Sequence, residues 1–225
     1  DNLCITRFDR ARADQAPEDF MAELVSVYAP VVVVCGFNFT FGRGGAGNGK
    51  LLREYGRKNG FRTVIVPEVL IEGATVSSTR IRGLLAAGDI PMVSRLLGHA
   101  YTLGGKVETG KQLGRTMGFP TANVAIQKDK ALPAYGVYAC WMETGDGAYH
   151  PAVVNVGRHP TLPEGAVTVE AHVLTDEPLD LYGQHVRLSF MRFQRPEKRF
   201  DSKEKLQSQI AKDVEEARAY FAKMV

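Results

Sequence analysis

This 225-residue chain is most easily placed by what it does not contain. No apolar run approaches the ~20 residues that a membrane-spanning helix requires, so no membrane partner is expected. The three cysteines, Cys4, Cys35 and Cys140, are odd in number and far apart. No Cys-x-x-Cys occurs, so neither a disulfide framework nor a zinc ribbon is suggested, and a reducing cytoplasm is the expected compartment. The five histidines fall into no ligand spacing such as His-Glu-x-x-His, so no structural metal is expected. A net charge of +3, spread along the length, is too small to argue for nucleic acid or an anionic membrane. There is no repeat, no low-complexity segment and no signal-peptide pattern. The chain opens at Asp1 rather than Met and reads as a fragment lacking its natural beginning.

What remains is a chain long enough for two small domains, and two styles of sequence meet near residue 100. Before it, strands and helices alternate. Pro17–Tyr28 carries Phe20, Met21, Leu24 and Val25 at helical spacing. Val31–Cys35 is expected as a buried strand, and Gly36–Gly49 as a mobile glycine-rich loop. Leu51–Asn59 is expected as a helix stopped by Gly60, then Thr63–Val66 as a strand. Ser77 or Ser78 would cap a helix over Thr79–Ala87, ended by Gly88. This alternation predicts parallel pairing in a Rossmann-like sheet. After Ala100, strands are expected over Tyr101–Val107, Gly136–Glu143, Ala152–Val156, Val167–Leu174 and His185–Phe193. Gly, Pro and Asp clusters separate them, which predicts a closed antiparallel barrel. Asp201 and Glu204 form a capping-box-like start to a last helix bearing Leu206, Ile210, Val214, Ala217 and Phe221.

The segment Gly104–Asn123 carries the strongest chemical signal. Gly104, Gly105, Gly110, Gly114 and Gly118 are interleaved with Lys106, Lys111 and Arg115. Bare backbone lets N–H groups come close to an anion, usually a phosphate. Pro120 stiffens the chain just ahead of Thr121 and Asn123. A hydroxyl and an amide two residues apart offer hard oxygen ligands to a phosphate-bound Mg²⁺. The segment is therefore expected to hold a nucleoside triphosphate and its metal. On the Val167–Leu174 strand, period two puts Thr168, Glu170 and His172 on one face. Pattern alone makes Glu170 a solvated strand residue more readily than a catalytic one. Tyr135, Tyr138, Trp141 and Tyr149 are candidates, by residue type only, for an aromatic slot. Ser77, Ser78 and Arg82 open a helix whose N-terminus suits a phosphate equally as well as an ordinary cap.

These residues resemble a known family. Gly114-Arg115 with Gly118-Phe119-Pro120-Thr121-Ala122-Asn123 is similar to the signature of riboflavin kinases. The likeness continues through Gly136-Val137-Tyr138, Asn155-Val156-Gly157, Val169-Glu170-Ala171-His172, Leu181-Tyr182-Gly183 and Arg195-Pro196-Glu197-Lys198 with Phe200. It covers about Leu97 to Ala222. The first half resembles the FAD synthetase module of bacterial bifunctional riboflavin kinase/FAD synthetases. Gly36-Phe37-Asn38-Phe39-Thr40-Phe41-Gly42 and Ser77-Ser78-Thr79-Arg80-Ile81-Arg82 carry that likeness. The family's opening Gly-x-Phe-Asp and His-x-Gly-His elements find no match. His159 departs from the Arg or Asn that many relatives carry before Pro160-Thr161.

The resemblance implies a partial Rossmann-like nucleotidyltransferase module at 1–98 and a riboflavin kinase barrel with a C-terminal helix at 99–225. It implies a transferase that moves the ATP γ-phosphate to the riboflavin 5′-hydroxyl, making FMN. The full-length parent would also convert FMN to FAD by adenylyl transfer. Glu170 then becomes the expected general base, and Thr121 and Asn123 the Mg²⁺ and phosphate ligands. Gly104, Gly105, Lys106, Gly110, Arg115 and Tyr182 are expected around ATP, and Arg195, Glu197 and Phe200 beside the flavin. Asn38, Phe39, Phe41, Ser77, Ser78 and Arg82 are expected to serve the adenylyltransferase module. Expected partners are small molecules, with self-association left open. Two rivals stand beside this reading. A single-strand nucleic-acid binder would need aromatics interleaved with cations on one sheet face, whereas the cations here cluster near glycines. A non-catalytic flavin-binding protein would be excluded by an assay for FMN.

Overall fold

The computed structural model describes residues 2–109, 118–158, 167–175 and 179–224. The chain divides into two compact units, Asp1–Val76 and Ser77–Val225. The change of sequence texture near residue 100 therefore falls inside the second unit, which takes in two helices that precede the barrel.

In the first unit, α1 (Arg10–Ala13) is capped by Asp9, and α2 (Pro17–Tyr28) begins on its proline. Strand β1 (Val32–Gly36) pairs in parallel with β4 (Arg62–Val66), and α3 (Gly49–Asn59) lies between them in sequence. The expected buried strand is a correction. Cys35 is buried, with Val33 packed against the same core, but Val31, Val32 and Val34 are exposed, as is Val66. A β-branched run is buried on both faces only when both faces of its sheet are covered. The core of this unit gathers Met21, Cys35, Phe41, Leu52 and Phe61 on one side. The glycine-rich stretch is also more ordered than a free loop. It holds a short hairpin, β2 (Thr40–Phe41) with β3 (Gly47–Asn48), and Asn48 caps α3 by accepting from Lys50 N and Leu51 N. A second short hairpin, β5 (Leu70–Ile71) with β6 (Ala74–Thr75), precedes the second unit.

The second unit opens with α4 (Ser78–Ala87), capped by the Ser77 hydroxyl and stopped by Gly88 in the left-handed region. Next comes α5 (Ile90–Leu97), which the strand-and-helix reading did not anticipate although its start signals are present. Asp89 accepts from Met92 N, and Pro91 lies in the first turn. Leu85, Ile90 and Val93 pack into the main core.

Among the described residues six strands then close an antiparallel barrel, where five were expected. They are β7 (Tyr101–Glu108), β8 (Ala122–Ile126), β9 (Gly136–Glu143), β10 (Tyr149–Arg158), β11 (Val167–Val173) and β12 (His185–Pro196). Their order around the barrel is β10-β11-β8-β7-β12-β9. Inward residues such as Leu103, Val124, Tyr138, Val154, Val169, Leu188 and Phe190 fill the interior. Gly105 is bare because β8 passes so close that a Cβ there would lie 2.1 Å from the Ala125 carbonyl oxygen. Helix α6 (Lys203–Phe221) packs Ala217 and Phe221 against the outer face formed by Val137, Ala139 and Val153. Its cap is Ser202, which accepts from Lys205 N; Asp201 instead pairs with Lys205 Nζ at 3.1 Å.

Candidate active site

Antiparallel register gathers outward-facing residues from five strands into one row. Asn123 of β8 stands opposite Glu170 of β11, and Glu170 opposite Asn155 of β10. Asn155 stands opposite Val137 of β9, and Val137 opposite Arg195 of β12. Directly opposed residues project to the same side of a sheet, with Cβ atoms roughly 5 Å apart. Their neighbours Val169 and Ala171 point the other way and are buried in the barrel. The sequence alternation of β11 thus separates a core face from a site face, with Glu170 half-buried on the latter.

A cavity of about 300 Å³ lies over this row. Thr121, Asn155, Thr168, Glu170 and His172 line the strand side, and Leu206 and Ile210 of α6 the helix side. Phe119, Arg158, Arg195, Glu197, Lys198 and Phe200 complete the wall. The mixture of apolar surface with a few convergent polar groups suits a small organic ligand. Glu197 reaches the wall because β10 carries no side chain at Gly157. A Cβ there would lie 1.7 Å from Glu197 Oε1, so any larger residue would push the carboxylate away.

Arg195 is held rather than loose. Its Nε donates to Asp213 Oδ1 at 2.8 Å, and its Nη2 to Asp213 Oδ2 at 2.7 Å. Asp213 is buried, at 3% exposure, and also accepts from Gln209 Nε2 at 3.0 Å. This bidentate pair joins β12 to α6 and places the guanidinium 5.8 Å from the Phe200 ring centre. His172 is fixed as well. Its Nδ1 lies 2.8 Å from the Pro120 carbonyl oxygen, and its ring meets Phe119 edge-on at 5.5 Å. Burial pulls the His172 pKa below the ordinary histidine value. The Arg218 charge adds to that pull, and the Pro120 hydrogen bond opposes it.

The expected residues distribute as follows. Thr121, Glu170, Arg195, Glu197 and Phe200 line one cavity, and Asn123 stands beside Glu170 in the ladder. Gly104, Gly105 and Lys106 belong to the regular strand β7, where the bareness of Gly105 serves the approach of β8. Tyr182 is exposed, in a turn whose Gly183 N donates to Val107 O. Val107 adjoins Glu108, which stands opposite Asn123. Gly110 and Arg115 lie outside the described residues, as do Lys111 and His159.

Of the aromatic candidates, Tyr138 is fully buried in the barrel and Trp141 packs on Phe221, so neither lines the cavity. Tyr135 sits beneath Arg158, with 5.8 Å from guanidinium to ring centre, and Tyr149 is exposed. Asn38, Phe39 and Phe41 fall in the first unit, where Phe41 is buried and stacks on Phe39 at 5.6 Å. Ser77, Ser78 and Arg82 fall in the second unit, at the start of α4. Among the cavity residues that carried no assignment from sequence are Asn155, Asp213 and Arg158. The signal for Asp213 was a carboxylate on the apolar face of α6, between Ile210 and Ala217.

The family model described as riboflavin kinase matches residues 97–221, and that described as FAD synthetase matches residues 1–80. The chain is 36% identical over 220 residues to a bifunctional riboflavin kinase/FMN adenylyltransferase of Escherichia coli K12. That match covers 97% of this chain and 69% of the relative. It is 32% identical over 225 residues to the protein of the same description from Listeria monocytogenes, covering 100% and 71%. A crystal structure described as a macrolide-efflux protein from Streptococcus pneumoniae superposes with a TM-score of 0.83 at 29% identity. It covers 94% of this chain and 67% of that one.

Proposed function

This chain belongs to the family of bifunctional riboflavin kinase/FMN adenylyltransferases, and on that premise we propose how its barrel makes FMN. The observation that carries the proposal is the register Asn123–Glu170–Asn155, of which Glu170 and Asn155 line the cavity. Riboflavin lies between the strand wall and α6, with its ring toward Arg195, Glu197 and Phe200 and its ribityl chain toward Glu170. The Glu170 carboxylate accepts the proton of the 5′-hydroxyl. The freed oxygen attacks the γ-phosphorus in line, and the bond from that phosphorus to the ADP oxygen breaks. Asn155, flanking Glu170 in the ladder, orients the same hydroxyl.

Thr121 and Asn123 offer a hydroxyl and an amide oxygen, hard donors of the kind Mg²⁺ takes when phosphates and waters supply the rest of its shell. A bound Mg²⁺ would there neutralise phosphate charge. Gly104, Gly105, Gly110, Lys106, Arg115 and Tyr182 are assigned to the ATP side. We assign the catalytic division to 1–98 and 99–225, a reading supported by the start of the riboflavin kinase match at residue 97. Adenylyl transfer from ATP to FMN is assigned to the first module in the full-length parent, with Asn38, Phe39, Phe41, Ser77, Ser78 and Arg82 as its contributions here. A cytoplasmic setting is supported by the free thiols Cys35 and Cys140; among the described residues no helix is long and apolar enough to cross a membrane.

The test is FMN formation from riboflavin and Mg·ATP, followed by chromatography. Thr121→Ala and Asn123→Ala are each expected to raise the Mg²⁺ concentration at half-maximal rate about tenfold, the worth of one oxygen ligand to a charged group. An unchanged Mg²⁺ dependence in both variants would remove these two residues from the metal site.

A further inference from the structure

We propose that His172 is a positioning residue that sets the Thr121 end of the phosphate site, extending the β8–β11 pairing where the backbone ladder stops. The inference rests on the kinase reading above. The ladder between these strands has two paired positions, Glu170 with Asn123 and Ala171 with Ala122. The next position in the register would pair His172 with Thr121, and there the strand gives way to Pro120. The paired ladder ends before this corner, and Pro120 has no N–H with which to resume it one residue on.

The side chain of His172 does so instead. Its Nδ1 donates to the Pro120 carbonyl at 2.8 Å, 52 residues away in sequence, while Phe119 packs edge-on against the ring. Donation to a carbonyl requires the proton on Nδ1, which makes Nε2 the acceptor nitrogen of the neutral ring. Glu170 is two residues away on the same strand face. One strand therefore carries both the acid–base group and the clamp for the segment holding Thr121. A shift of the corner by a fraction of an ångström would misplace the γ-phosphate relative to Glu170, which is costly for an in-line reaction.

The test uses the full chain with His172→Ala, His172→Asn and His172→Gln, each checked by thermal melt. Steady-state FMN formation is measured against Mg·ATP and riboflavin separately, and riboflavin affinity by quenching of flavin fluorescence. The amide nitrogen of Asn stands close to the position of Nδ1, whereas that of Gln extends one bond too far. Loss of the clamp in the Ala variant should raise KM for Mg·ATP and lower kcat, together about tenfold in kcat/KM, the scale of one hydrogen bond. Riboflavin affinity should stay within about twofold, and His172→Asn should regain most of the loss. Should the Ala chain fail to fold, the Gln chain serves as the comparison without a placed donor. An Asn variant no better than Ala or Gln, or equal losses for Mg·ATP and riboflavin, would overturn the positioning role. An active parent with unaffected variants would remove this role alone. A parent that forms no FMN would instead remove the kinase reading on which it stands.

Discussion

The two units handle β-branched residues in opposite ways. In the barrel, closure gives each strand two neighbours, and alternation sends one face to a common interior. In the first unit, two parallel strands receive cover on one face, and Val32, Val34 and Val66 remain open on the other. A closed sheet can therefore use its outer face for chemistry: Asn123, Glu170, Asn155 and Arg195 stand there over a completed core. In the first unit the open face of β1 carries Val32 and Val34 instead. The difference teaches that alternation, more than hydrophobicity, marks where a site can be built.

The largest effect that could break this comparison lies at Glu170. Glu170→Gln keeps size and polarity but cannot take a proton. FMN formation should fall by about 10³-fold, within the usual range for loss of a general base. ATP binding by equilibrium dialysis should be unchanged. A variant with near-parental turnover would mean that the outer row is scaffold, like the valines of the first unit.

Ion pairs offer the second contrast. Arg195–Asp213 joins two elements with side-chain exposures of 21% and 4%, whereas Arg12–Glu23 in the first unit sits at 24% and 37%. Asp213→Ala would strand a guanidinium in the cavity wall. It should cost about 3 kcal/mol or more and lower the melting temperature of the barrel together with riboflavin affinity. Glu23→Ala should move the melt far less, because water screens the pair. The Arg12 hydrogen bonds hold the Glu23 carboxyl down to about 2. Its small contribution is then complete above the ordinary carboxylate pKa and lost as the pH falls through about 2.

Much of the barrel was legible because alternation is a local signal. Gly136–Glu143 was delimited to the residue, and Val167–Val173 to within one. Strand β8 was not legible, since Ala122 and Asn123 are weak strand formers and Pro120 reads as a turn. Within the site, Glu170 lay on a recognisable face, but its partners Asn123 and Asn155 are set by register, which joins residues tens of positions apart. Asp213 was hidden for a different reason. A carboxylate on an apolar helix face makes sense only once its cation arrives from another element. The valines of β1 misled in the opposite direction, because burial belongs to the layer that covers a strand and not to the strand itself.

Core and surface substitutions in the first unit sharpen the comparison at its weaker end. Leu52 is fully buried on α3 within the one-sided core. Leu52→Ala should destabilise that unit by about 2–5 kcal/mol. Calorimetry should then show an early transition ahead of a barrel transition that has not moved. A single transition shifting as a whole would mean that the two units melt together.

The smallest expected effect is at Val34, which is 62% exposed although it lies in the middle of β1. Val34→Thr keeps the branched Cβ that suits a strand and adds a hydroxyl that water can reach. On a covered sheet face the same change would bury a hydroxyl and cost about 1–3 kcal/mol. On an open face the melt should move by no more than about 0.5 kcal/mol. Solubility should rise, because the swap interrupts an exposed β-branched run of the kind that pairs edge to edge. A destabilisation in the buried range would mean that Val34 is covered in solution, and the asymmetry between the two units would be lost.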